Sequence, residues 1–252
     1  MGTIATVQYQ LASVPMIGSS FFVVELNLIL RTGTRFITIP FSTVPSPLPS
    51  LNKNALSLGL SQASLNILID VILQMKVKEF MSTPEVFSGA AELTNAIGAL
   101  LSHQKCPKCP SKSPLKITLR VDGTKRMVLE PNSAILQLSV KIAILAKTST
   151  GIFTSLFVLK ANLRLGAQAS VHDCKLIFVT KLTSLELVLV SSDVGPIEIN
   201  SLVTWIELLI VETFVPQVNE YMNVGIPLPS VMNINVGYPV VQTLSGMLVL
   251  GV

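Results

Sequence analysis

Leu136-Gln137-Leu138-Ser139-Val140-Lys141-Ile142-Ala143-Ile144 carries an aliphatic residue at every even position and a polar or small one between. Successive side chains of a β-strand point to opposite faces, so this stretch has one dry face and one wet face. The pattern recurs on both sides of it. Upstream, Leu115, Ile117, Leu119 and Val121 oppose Lys116, Thr118, Arg120 and Asp122. Downstream, Leu159, Ala161, Leu163 and Leu165 oppose Lys160, Asn162 and Arg164. Leu176, Phe178 and Leu182 oppose Lys175 and Lys181; the alternation then slips at Thr183–Ser184 and resumes at Leu185, Leu187 and Leu189. Such a slip predicts a β-bulge, which bends a sheet. Strands wet on one face are antiparallel in character, and these are long: residues 134–147 would span about 45 Å at ~3.3 Å per residue. Near the start of the chain, Phe22, Val24, Leu26, Leu28 and Leu30 share one face opposite Glu25 and Asn27.

Three segments read as helices. Ala55–Met81 is rich in helix formers and has Pro84 beyond its end; Glu85–Leu101 follows that proline. Ile197–Asn223 begins after Gly195-Pro196 and ends before Gly225-Ile226-Pro227-Leu228-Pro229, with Pro216 predicted to kink it by removing a backbone donor. The first and third are apolar nearly all round, which means burial. At ~1.5 Å per residue each would be about 40 Å long, matching the strands. The expected fold class is α+β: a long, highly curved antiparallel sheet wrapped around two long helices. Residues 40–51 read as a proline-rich linker dividing strands in residues 1–39 from a main unit of residues 52–252.

Charged residues make up 13% of the 252, against ~25% in an ordinary soluble domain, while 50% are apolar and mean hydropathy is +0.63. A chain this apolar can bury enough surface to offset its ordering entropy, which excludes disorder. The longest stretch without Asp, Glu, Lys or Arg, Tyr221–Val252, carries Pro227, Pro229 and Pro239 with three asparagines, so it does not read as a membrane span. The expectation is a water-soluble protein with a greasy interior. Residues 1–20 lack a basic start and a compact apolar core, so no signal peptide is read, as fits a piece of a longer secreted chain. Met1-Gly2-Thr3-Ile4-Ala5-Thr6 fits a short myristoylation pattern. Charge is polarised along the chain: residues 105–181 hold 13 basic and 3 acidic groups, while residues 182–252 hold 6 acidic and no basic ones. That asymmetry predicts a basic surface on one part of the fold.

Three stretches carry a family resemblance. Leu58-Gly59-Leu60-Ser61-Gln62 opens the first helix after the linker. Ser191-Ser192-Asp193-Val194-Gly195-Pro196-Ile197 leads into a long helix ending Phe214-Val215-Pro216-Gln217-Val218-Asn219-Glu220. Gly225-Ile226-Pro227-Leu228-Pro229 precedes the terminal strand. Their order and spacing over residues 52–252 resemble the C-terminal barrel of the BPI/LBP/PLUNC family of tubular lipid-binding (TULIP) proteins, and residues 5–39 resemble that family's central-sheet strands. The resemblance implies a BPI-like super-roll and a secreted or secretory-lumen carrier or innate-defence protein. It implies binding of phospholipid or other acyl chains, with lipopolysaccharide among the ligands. A full member has two barrels; activities and the disulfide of the N-terminal barrel are not carried over.

The residues point the same way. A sheet wrapped around two apolar helices either packs solid or leaves a channel, and burying an acyl chain gains ~0.8 kcal/mol per CH₂. Candidate lining residues are Leu65, Leu68, Val71, Ile72, Met75, Leu202, Trp205, Ile206 and Leu209; the plain alternative is that they are ordinary core. Lys141, Lys160, Arg164, Lys175 and Lys181 fall on the wet faces and are candidates for anionic head groups, or simply a solvated face. Expected partners are thus lipids, a membrane surface, and further chains paired through exposed central strands. Nucleic acid is not expected, because the basic stretch has no interleaved aromatics.

His103-x-x-Cys106-Pro107-Lys108-Cys109 resembles half a zinc site whose fourth ligand would be His172 or Cys174; the same cysteines suit a local disulfide or free thiols. No metal or cofactor is expected. Two histidines offer few general bases, and Gly59-Leu60-Ser61-Gln62-Ala63 imitates a nucleophile elbow without a predicted strand before it. The chain is read as non-catalytic. The competing reading is a structural or interaction protein with a solid barrel.

Overall fold

The computed structural model describes residues 6–17, 22–32, 34–39, 57–74, 77–101, 113–229 and 239–251. Its strands and helices run β1 (Thr6–Leu11), β2 (Met16–Ile17), β3 (Phe22–Val23), β4 (Leu26–Thr32), β5 (Arg35–Ile39), β6 (Ser57–Ser61), α1 (Gln62–Ile72), β7 (Lys78–Met81), α2 (Ala90–Leu100), β8 (Leu115–Glu130), β9 (Ser133–Lys147), β10 (Phe153–His172) and β11 (Lys175–Ser192). A long helical run follows: a 3₁₀ turn (Ile199–Leu202), α3 (Val203–Leu209), a π-turn (Ile210–Phe214) and α4 (Val215–Met222). Strands β12 (Ile226–Pro227), β13 (Val240–Leu244) and β14 (Met247–Gly251) complete the described elements.

The α+β class and the long antiparallel sheet are as expected. The main sheet has the order β12-β11-β10-β9-β8-β7, every pair antiparallel. Two-residue hairpins set its register. Pro131-Asn132 joins β8 to β9 with Asn132 at φ 59°, and Asp173-Cys174 joins β10 to β11 with both residues at positive φ. A turn with two positive-φ residues matches the twist of the strands it connects. The predicted bulge is present: Arg164 pairs with Ser184 and Leu165 with Leu182, so Thr183 is the extra residue. Gly166 faces that bulge, where a Cβ would lie 3.1 Å from the Thr183 methyl. Further register shifts at Val158/Leu159, Ser155/Phe157 and Val121/Lys125 add bends along the sheet.

The helices need correction. Residues 55–81 do not form one helix. Leu58-Gly59-Leu60, read above as a helix start, is strand β6, hydrogen-bonded to β14. The helix begins only where Ser61 caps it, its Oγ accepting from Ser64 N at 3.1 Å. After Ile72 the chain leaves the helix and returns as β7 against β8. Local apolar spacing could not distinguish these outcomes, because strand partners elsewhere in the chain decide them, β14 for β6 and β8 for β7. The second helix starts at Ala90, not residue 85; its cap, Gly89, packs so tightly that a Cβ would lie 2.8 Å from Leu208 Cδ2. The third helix has nearly the predicted bounds, and Pro216 sits in the first turn of α4 directly after the π-turn. The wider turn accommodates the missing N–H. By length and composition alone Ile199–Met222 is apolar enough to cross a membrane, yet Leu202, Ile206, Leu209, Phe214 and Val218 lie in the core cluster. The strand read over residues 22–30 is interrupted between β3 and β4. The proposed linker, residues 40–51, lies outside the described residues.

A smaller sheet, β1-β4-β5, joins the main body through its inner face, where Leu28, Leu30 and Ile39 are buried. Tyr9 Oη donates to the Pro227 carbonyl, tying β1 to β12. Burial pushes the Tyr9 phenol up to about 12 from its ordinary 10.0. A raised folded-state value means the folded protein holds that proton more tightly than the unfolded chain. The stabilisation is complete below pH 10 and is lost as pH rises through about 12. Urea midpoints for the wild type should therefore fall over this window more than those of Tyr9→Phe, and a phenolate titrating late should vanish from the variant's ultraviolet spectrum.

Candidate lipid-binding site

An open sheet has two edges, and here each is sealed by side chains of a helix lying along it. Strand β7 covers β8 only at residues 116–119. Beyond it, one face of α1 takes over. Gln62 Oε1 accepts from Leu129 N (2.7 Å), Asn66 Oδ1 accepts from Met127 N (2.6 Å), and Asp70 pairs with Lys125 Nζ (2.8 Å). Positions 62, 66 and 70 are one helical turn apart and so form a single stripe. At the opposite edge, β12 covers β11 only at Lys175 and Leu176. There Asn219 of α4 holds Thr180 three ways: Oδ1 accepts from Thr180 N (2.7 Å) and from its hydroxyl (2.8 Å), and Nδ2 donates to Thr180 O (3.0 Å). Among the described residues, these amides take the place of further strand partners at both edges. Gln62 and Asn219 fall within the stretches that carry the family resemblance, but the role of these amides was not read from sequence, since a polar residue on an apolar helix gives no signal of the strand edge beside it.

Between the sealed edges lies one continuous apolar core. It contains most of the predicted lining residues. Leu65, Leu68 and Val71 of α1 are buried, as are Leu202, Ile206 and Leu209 of the long helical run. Ile72 and Trp205 are half-buried at its margin, and Trp205 packs over Gly89 at the start of α2. Met75 lies outside the described residues. The inner face of the sheet completes the enclosure with Ile117, Leu136, Val140, Leu163 and their neighbours.

The outer face collects the basic residues. Arg120 pairs with Lys141 and Lys141 with Lys160, so three cations line up across β8, β9 and β10. Arg120 engages Asp122 at 3.2 Å. Lys141 and Lys160 are direct cross-strand neighbours, an arrangement that costs stability for like charges. Beside this row, Ser139 donates to Asn162 and Asn162 to Glu186. Arg164 follows one row on, and Lys181 faces Gly166 in the next. Lys175 is exposed, next to the hairpin turn with His172. Arg120 was not among the predicted head-group residues; only the register brings it into line.

Of the proposed zinc ligands, His103, Cys106 and Cys109 lie outside the described residues. His172 and Cys174 are exposed in the β10–β11 hairpin, and no metal-holding cluster occurs among the described residues. At Gly59-Leu60-Ser61-Gln62-Ala63 a strand does precede the helix, contrary to expectation, and Ser61 Oγ is occupied in capping α1 and bonding Ser64.

The family model for the C-terminal domain of LBP, BPI and CETP matches residues 3–252. The chain belongs to the LBP/BPI/CETP family. Among curated relatives, BPI fold-containing family B member 3 of Mus musculus is 24% identical over 100% of this chain and 54% of its own length. BPI fold-containing family B member 2 of Homo sapiens is 26% identical over 99% of this chain and 56% of its own. A crystal structure of lipopolysaccharide binding protein aligns with a TM-score of 0.47 at 16% identity, covering 99% of this chain and 55% of that one. This LBP/BPI/CETP chain spans about half the length of the curated relatives it matches. The resemblance drawn from residues 58–62, 191–197, 214–220 and 225–229 is thus the family found.

Proposed function

We propose that this chain is a non-catalytic lipid-binding domain holding phospholipid or other acyl chains, with lipopolysaccharide among the candidates, between its helices and the inner face of the sheet. The observation that carries the reading is a single apolar core bounded on two sides by helices that are fastened to the sheet edges through a few amide hydrogen bonds. Such a body can part along an edge and close again. Leu65, Leu68, Val71, Ile72, Met75, Leu202, Trp205, Ile206 and Leu209 would meet the acyl chains. Lys141, Lys160, Arg164, Lys175 and Lys181, joined by Arg120, would meet anionic head groups at a membrane surface. Family membership supports a secreted or secretory-lumen carrier or defence role; the division into residues 1–39, 40–51 and 52–252 rests on the proline-rich stretch of the sequence.

The test is mass spectrometry of organic extracts from detergent-free protein, beside an apolar-cored control. Stoichiometric acyl species absent from the control are expected. A folded, lipid-free protein that also takes up no labelled phospholipid would defeat the carrier reading. A second reading, a solid barrel that binds protein partners, is favoured by the β2–β3 pair and the residues leading into it, where Ile17 and Val14 are 83% and 84% exposed and Phe22 also faces solvent. Leu209→Asp separates the two. Leu209 is 0% exposed; on the carrier reading the variant folds and loses its lipid, while in a solid barrel a buried carboxylate costs several kcal/mol and folding fails.

A further inference from the structure

A cleft of about 320 Å³ opens between the start of β7 and the outer side of the helical run, lined by Lys78, Glu212, Thr213, Pro216, Gln217 and Glu220 with Val77 at its rim. Its size suits a small polar molecule. The π-turn forms its wall, and such turns often mark functional positions. Three observations define what it would hold. Gln217 Oε1 is buried and has no hydrogen-bond partner among the described residues. A buried acceptor left unpaired is costly; the Gln217 side chain lines the cleft, so a ligand that supplies an N–H or O–H pairs this covered oxygen once the amide turns outward. Glu220, one turn along the same helix face, is exposed and forms no ion pair among the described residues. Glu212 is already taken: its carboxylate accepts from Ser88 N (2.7 Å) and Ser88 Oγ (2.6 Å). The third observation is the cation. Lys78 Nζ donates to Thr213 O at 2.8 Å, which fixes the ammonium in the cleft while leaving two of its three N–H groups for a ligand.

The cleft thus offers donors from Lys78 and acceptors from Gln217 and Glu220. We propose that it binds a phosphoethanolamine group, with the phosphate at Lys78 and the primary ammonium at Gln217 Oε1 and Glu220. A choline group fits the charges equally well, but its quaternary nitrogen has no N–H, and Gln217 would stay unpaired. The cleft should therefore discriminate between the two, through the penalty of leaving a buried polar group unmatched. As the head-group site of a bound lipid this inference rests on the carrier reading; as a site for a soluble phosphoethanolamine compound it stands alone.

Glycerophosphoethanolamine and glycerophosphocholine are to be titrated into the whole chain by calorimetry, with backbone amide shifts around Gln217 followed by NMR. The ethanolamine compound is expected to bind more tightly by roughly tenfold, the value of one hydrogen bond to a charged donor. Gln217→Leu, checked for an unchanged thermal transition, should erase that preference, and Lys78→Met should weaken both compounds. Equal binding of the two, indifference to Gln217→Leu, or no binding of the ethanolamine compound at millimolar concentration overturns the proposal. Vesicles of phosphatidylethanolamine separate the sources. Uptake of lipid that Gln217→Leu leaves unchanged sinks the cleft and spares the carrier reading. Binding of the soluble compound without lipid uptake supports the cleft and sinks the carrier.

Discussion

Asn219→Leu is expected to destabilise the protein by about 3 kcal/mol, because each buried polar group stripped of its partner costs ~1–3 kcal/mol and water reaching the opened edge recovers part of that. The amide of Asn219 makes three hydrogen bonds to one residue, Thr180. Thr180 is 1% exposed, so its N–H, hydroxyl and carbonyl have no ready substitute. Leucine keeps the γ-branched outline of asparagine, and its better helix propensity offsets only roughly a few tenths of a kcal/mol of the polar loss. Asn219→Asp keeps an acceptor for the N–H and hydroxyl but removes the donor to Thr180 O, and should fall between the wild type and the leucine variant. Chemical denaturation gives the stability change. Amide exchange gives its location: protection at Thr180 should drop in the leucine variant while protection in β9, at the centre of the sheet, follows the global change. A leucine variant within 0.5 kcal/mol of wild type, roughly the range of a neutral surface substitution, would mean that α4 is held by its apolar face alone.

The contrast between what the residues announce and what they conceal follows from the range of the interactions. Alternation along Leu136–Ile144 is a local property, and it placed β9 correctly because one strand face is buried whatever its neighbours are. The bulge at Thr183 was equally legible, since one extra residue inverts every later side chain and the sequence must slip to keep leucines inward. Leu58-Gly59-Leu60 had no such signature. Three residues suit a strand or a helix start, and the partner that decides, Leu248-Val249-Leu250, lies at the far end of the chain. The apolar residues between sheet and helices were readable one by one as core, because burial follows from composition. What the amides Gln62, Asn66, Gln217 and Asn219 do could not be read, since a helical polar residue means something different beside water, beside a strand edge and beside a cleft. The row Arg120–Lys141–Lys160 likewise exists only once register is known.

The edge opposite Asn219 gives the complementary expectation. Gln62→Leu combined with Asn66→Leu should cost about 2–4 kcal/mol and also make the protein associate with itself, because two strand N–H groups lose their acceptors together. Gln62 and Asn66 accept from Leu129 N and Met127 N, alternate residues whose N–H groups face the same way along β8. With the acceptors gone, that segment is an unpaired edge, a template for another strand. The single variants should each cost less than half of the double. While one amide and the Asp70–Lys125 pair remain, α1 stays seated and shields the neighbouring N–H; removing both amides frees the stripe, so the losses exceed their sum. Two measurements check this. Denaturation of the two singles and the double gives the coupling, and sedimentation across a concentration series reads the association. Additive losses in a chain that stays monomeric would show that α1 is held by Leu65, Leu68 and Ile69 against the core, and that its amides only satisfy groups water would otherwise reach. Coupled losses with association would make α1 the closure of the β8 edge. An acyl chain entering between sheet and helix on that side would then have to displace this stripe, so the same double variant should load labelled phospholipid faster than the wild type.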